Sequence, residues 1–143
     1  MKPFHPLLCL IAIGGLALLG GCAQKPFVGP IMCPAVAVID QKQEDLGYSY
    51  SAIAPGSGWT GENPVAQDYY LKTLVFISAA IRTGQNGPFV ACDYEGPEEL
   101  EYAFLRMSRR FVTLPRPVPP NWDNNAFCKP GSGSVADCRF DSL

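Results

Sequence analysis

The sequence predicts a mainly β domain, a small antiparallel sheet or meander stapled by two disulfides, with an α+β form containing one helix as the alternative. Three observations carry this. Leu71 to Arg82, Phe89 to Tyr94 and Leu100 to Arg106 are β-rich runs separated by the turn clusters 83–88 and 95–97, and two turn-separated hairpins make a meander. Gly47-Tyr48-Ser49-Tyr50-Ser51-Ala52-Ile53 alternates aromatic and small polar residues, the period of a half-buried strand. Four cysteines, Cys33, Cys92, Cys128 and Cys138, are spread over the same region.

Taken in order, Cys33-Pro34 opens a first expected strand, Ala35 to Ile39, ended by Asp40. The polar stretch 41–46 is a turn or a single helical turn, 47–53 is the alternating strand, and 55–64 is a long loop by its glycines and prolines. The helical alternative covers Val65 to Ile81, because Asn63-Pro64 resembles a helix start and Ala79-Ala80 are helix formers. Val75, Phe76 and Ile77 in succession give no amphipathic stripe, so strand is preferred. Pro115-Arg116-Pro117-Val118-Pro119-Pro120 favours polyproline II over a sheet interior. The tail from Trp122 to Leu143 reads as loop held by its disulfide. The sequence shows no internal repeat.

The N-terminus is an address. Met1-Lys2-Pro3-Phe4-His5-Pro6 is short and basic, Leu7 to Leu19 is 13 residues of mainly apolar chain, and Gly20-Gly21-Cys22 follows. That is the charged, apolar and small-residue order of an export signal, and it is shorter than the roughly 20 residues that span a hydrocarbon layer. Leu19-Gly20-Gly21-Cys22 resembles the lipobox of bacterial lipoproteins. The resemblance implies that residues 1–21 are removed and that Cys22 becomes an acylated N-terminus. Multiple chains, at about 0.8 kcal/mol per buried methylene, make such attachment effectively permanent. Ala23, where aspartate commonly signals inner-membrane retention, implies the outer membrane of a Gram-negative cell. Residues 22–32, with Pro26, Gly29 and Pro30, form a tether, and 33–143 is one periplasm-facing domain.

Loss of the signal alters the chemistry available. Lys+Arg falls from 11 to 10 with Lys2, against 13 Asp+Glu, for a net charge of −3. So mild and mixed a balance gives no reason to expect nucleic acid or anionic lipid as a partner. His5 is the only histidine, so histidine-based nucleophile systems are excluded from the mature chain. Nothing in the sequence resembles a phosphate-cradling glycine loop. Asp93, Glu95, Glu98, Glu99 and Glu101 flank one turn. Paired carboxylates hydrolyse glycosides, but acids at a hairpin tip read first as a solvated end, and no calcium-loop spacing is present. The expectation is a protein that is not an enzyme and carries no cofactor.

The four mature cysteines lack paired Cys-x-x-Cys spacing and have no histidine to join them, so they read as disulfides and not as metal ligands. Of three possible pairings, Cys128–Cys138 is favoured because Lys129-Pro130-Gly131-Ser132-Gly133-Ser134 closes a short turn-forming loop; Cys33–Cys92 then ties the N-terminus to the central sheet. Trp59 and Trp122 are core lids over an open sheet face or, if exposed, aromatic anchors for a partner. Arg106, Arg109, Arg110 and Arg116 are strand-end charges paired with nearby glutamates, or an anion-binding patch.

The order Cys33-Pro34, Gly58-Trp59-Thr60-Gly61, Cys92-Asp93-Tyr94 and Trp122 to Cys128 resembles small exported lipoproteins of unknown function from Gram-negative bacteria. The type IV secretion-associated EirA family is one such group. The likeness spans most of the mature chain in motifs of two to four residues and carries no catalytic residue across. It implies a disulfide-bonded β-rich module serving an envelope machine. The expectation is therefore a membrane-anchored envelope lipoprotein that binds an envelope protein as an accessory, with Trp59, Trp122, Arg109 and Arg110 as its candidate binding residues. A glycan- or lipopolysaccharide-binding module, with an aromatic-lined groove beside Arg109 and Arg110, is the alternative. The sequence leaves the oligomeric state open.

Overall fold

Two antiparallel meanders lie side by side in one sheet. The first is β1 (Asp40–Gln43), β2 (Tyr48–Ala52) and β3 (Trp59–Asn63); the second is β4 (Val75–Gly84), β5 (Gly87–Glu95) and β6 (Phe104–Arg110). β6 returns beside β3, and β8 (Phe127–Cys128) lies along β4, giving the order β1-β2-β3-β6-β5-β4-β8. This is a computed structural model describing residues 30–142. The export signal, Cys22 and the tether as far as residue 29 fall outside the described residues. Among the described residues no helix is long and apolar enough to cross a membrane.

The alternation of side chains sets one face of the sheet inward. Tyr50 and Ala52 of β2, Trp59 and Asn63 of β3, Leu105 and Met107 of β6, and Val90, Cys92 and Tyr94 of β5 are all buried at two-residue spacing or its multiple. In β4 the register shifts between Phe76 and Ser78, an irregularity of the bulge kind. It lets Phe76 and then Ala79 and Ile81 share the core face. The seam between the meanders is narrow, with Thr60 opposite Ser108. Gly61 is required there, since a Cβ on it would stand 2.5 Å from the Arg106 carbonyl oxygen.

The first and last of the described segments cover the inward face. Ile31 exchanges backbone hydrogen bonds of 2.7 and 2.8 Å with Phe140, and β9 (Phe140–Asp141) also pairs with β7 (Arg116–Pro117). Phe140 is fully buried, with ring centroids of Trp59 at 6.5 Å, Phe111 at 5.7 Å and Trp122 at 6.4 Å. The disulfides are Cys33–Cys92 and Cys128–Cys138, the expected pairs. With sequence separations of 59 and 10, the chain-entropy model assigns them about 4 and 3 kcal/mol. The Tyr94 hydroxyl donates to the Pro34 carbonyl, and burial followed by the Asp93 charge pushes that phenol far above its ordinary range. It stays a neutral donor.

Four sequence expectations move. Val36–Val38 is a 3-10 turn rather than strand: Cys33 is pinned over the sheet face, and Val38 and Ile39 donate back to Ala35 and Val36. The strand starts at Asp40 instead, where its polar residues suit a solvated sheet edge. The expected loop 55–64 contains β3, hidden because two of its three inward positions are Gly61 and Asn63. The third strand of the meander runs Phe104–Arg110, not 100–106. The preference for strand over a helix at 65–81 holds: β4 forms, preceded by a 3-10 turn at Tyr70–Thr73. In the tail, β8 and β9 are short strands within what reads as loop.

Candidate interaction site

The two tryptophans converge on Phe140. Trp59, 1% exposed, donates from Nε1 to the Pro55 carbonyl at 3.3 Å. It is a core lid, and the anchor alternative does not describe it: a partner has no ring surface to meet. Trp122 is half-buried and donates from Nε1 to the Arg139 carbonyl at 2.7 Å.

The arginines separate into different roles. Arg106 grips Asp93 with Nε and Nη2 at 2.6 and 2.9 Å, and this hydrogen bonding raises its pKa. It belongs to an exposed ion pair on the outer face, of small energetic worth. Arg109 and Arg110 make no ion pair among the described residues. Arg109 sits at the rim of the core, 4.9 Å over the Phe111 ring, and burial lowers its pKa. Arg110 lies on the outer face and reaches the Asn86 carbonyl at 3.2 Å. Ser57, Gly58, Thr60 and Ser108 join the two arginines in an open cleft of about 440 Å³. Its lining is hydroxyl and backbone, not the aromatic wall expected of a glycan groove.

Asp93 is engaged by Arg106, while Glu95, Glu98, Glu99 and Glu101 are exposed around the β5–β6 connection. Among the described residues no group of three or more potential ligands is placed to hold a metal ion.

The feature that sequence reasoning missed lies in that connection. Tyr102 has φ +67°, a left-handed conformation costing a residue with a Cβ roughly 1–2 kcal/mol. It is held there by Asn63, which is fully buried. Asn63 Nδ2 donates to the carbonyls of Tyr102 at 2.9 Å and Phe104 at 2.8 Å, and Oδ1 accepts from the Val65 amide at 3.0 Å. The Tyr70 hydroxyl adds a bond to the Glu101 carbonyl at 2.9 Å. The clamp leaves the Tyr102 side chain outside, 55% exposed. Beside it, Phe104, Glu95 and Val75 stand opposite one another across β6, β5 and β4, and Phe104 and Val75 are exposed. Tyr69, also exposed, packs edge-on to Tyr70 at 5.1 Å. No residue of the sequence announced this, because positive φ at a tyrosine is set by a partner 39 positions away.

The geometry defines a class, an antiparallel β domain stapled by two disulfides with an aromatic and acidic rim at one end. Comparison with models of known protein families, with curated proteins and with solved structures finds no match in any of the three.

Proposed function

We propose that the protein is a membrane-anchored envelope lipoprotein, acylated on Cys22 and facing the periplasm from the outer membrane. It acts as an interaction or accessory module for an envelope protein, of the kind a secretion system uses. The observation that carries the reading is Tyr102. An exposed aromatic ring is kept in an unfavourable backbone conformation by a buried, fully engaged asparagine, and such conformations persist where the surroundings over-determine them and function uses them. Rigid aromatics among acids, at low entropic cost, are what interface hot spots are made of. The proposed contact surface is Tyr102, Phe104, Val75 and Tyr69, replacing Trp59 and Trp122.

The test places a photo-crosslinking residue at Phe104 in cells and pairs it with the variant Tyr102→Gly. Glycine accepts positive φ without penalty, so the stability of this variant should equal or exceed that of the parent, by up to ~1 kcal/mol. The crosslink to a discrete envelope protein should nonetheless disappear. A Tyr102→Gly protein that melts normally and keeps its crosslink would remove this surface from the function.

A further inference from the structure

The end of the sheet opposite Tyr102 carries the opposite character, and the tether leaves from it. Pro30 and Ile31 line a cleft of about 470 Å³ with Pro55, Gly56, Arg109 and Ser142. Ile31 is fixed on Phe140, whose ring lies against Phe111. Directly after Phe111 comes Val112, 99% exposed, and two residues further Leu114, also exposed. Exposed Ile53 belongs to the same end, one residue beyond the Ala52–Trp59 pair. An isolated exposed apolar residue is ordinary; three around the exit of an anchored chain are not.

The charges sort in the same way. Arg82 and Arg110 flank Phe89 in register across β4, β5 and β6. Arg109 lies at the rim and Arg116 in β7, opposite Asp141. Glu95, Glu98, Glu99 and Glu101 are all at the far end.

We propose that this basal end, Arg109, Arg110 and Arg116 with Val112, Leu114 and Ile53, is a docking face for the anionic phospholipid surface into which Cys22 is anchored. The inference rests on the anchor reading above. Only eight peptide steps separate Cys22 from Pro30, at most about 28 Å when fully extended, so this end stays within reach of the headgroups. Arginines beside apolar residues suit the boundary between phosphates and acyl chains, and docking there turns the Tyr102 rim away from the membrane.

The experiment uses the full mature protein in vesicles of phosphatidylethanolamine and phosphatidylglycerol containing acyl-brominated lipid. Intact mass first reports acylation of Cys22. Val112→Trp supplies a reporter at the basal end, and Leu46→Trp one in the exposed β1–β2 turn at the other. The tryptophan at 112 should be quenched at least threefold more than that at 46. Replacing Arg109, Arg110 and Arg116 by glutamine, or the anionic lipid by phosphatidylcholine, should at least halve the difference. Acylated protein with equal quenching at the two positions overturns the docking face alone. An unacylated Cys22 overturns the anchor, and the docking face with it.

Discussion

The two ends of the sheet are held by different forces. At the basal end Phe140 gathers Trp59, Phe111 and Trp122 into edge-to-face contacts, and Ile31 pairs with its backbone. Stability there comes from area removed from water and from aromatic geometry. At the far end a loop rich in glutamate has little to bury. Asn63, Tyr70 and the Gly96 amide hold it by donating to the backbone carbonyls of 101–104. The difference teaches how a small domain keeps a polar rim in one conformation: the carbonyls a turn leaves unpaired are met by buried donors from a neighbouring strand. It also predicts that the ends respond to different substitutions.

The largest effect belongs to the basal end. Trp59→Ala should cost about 3–5 kcal/mol and leave a degraded or molten protein, whereas Trp122→Ala, half-buried with one hydrogen bond, should cost about 1–2 kcal/mol. Urea melts of the two variants read the contrast directly, and equal losses would break the account of Trp59 as the central lid. At the far end, Asn63→Leu keeps the branch at Cγ but removes three hydrogen bonds. The expected cost is about 2–3 kcal/mol, with faster amide exchange confined to 63–66 and 100–105. Global loosening instead would mean that the clamp is part of the common core.

The smallest effect is electrostatic and lies in the short disulfide loop. Asp137 Oδ2 accepts from the Ser132 amide and hydroxyl, both at 2.7 Å, and these bonds lower its pKa below the ordinary 3.8. A depressed carboxyl adds stability above its unfolded pKa and loses it as pH falls through the folded value. Amide protection factors in 131–137 should therefore fall as pH drops below 3.8, and Asp137→Asn should abolish that dependence while leaving protection at the Tyr102 rim unchanged.

Much of this architecture is legible in the chain. The period-two pattern of 47–53 and the turn clusters at 83–88 and 95–97 mark strands and hairpins because local sterics and burial act on neighbouring residues. The favoured disulfide pairing, one of three open to four cysteines, rests on the turn-forming residues between Cys128 and Cys138, and the structure has it. β3 escapes, because strand patterning presumes apolar inward positions and here the close approach of β6 requires glycine at 61 while the rim requires asparagine at 63. Trp59 is ambiguous in the sequence for the same reason, since a tryptophan beside glycines and a proline reads equally as core or as anchor.

By itself the sequence indicated the mainly β fold class and the presence of two disulfides. Both depend on residue identity and short spacings, which do not change with the path of the chain. The tertiary structure alone decided where the charges lie and which aromatics are exposed. A net charge of −2 is the same number whether acids and arginines are mixed or segregated. The β5–β6 hairpin puts Arg109 and Arg110 at one end and Glu95, Glu98, Glu99 and Glu101 at the other, and the return of β6 beside β3 joins that hairpin to the first meander. That return also carries Asn63 to the loop that it fixes. Electrostatic fields and buried hydrogen bonds act through space, so contacts tens of residues apart in sequence had to form before either could be read.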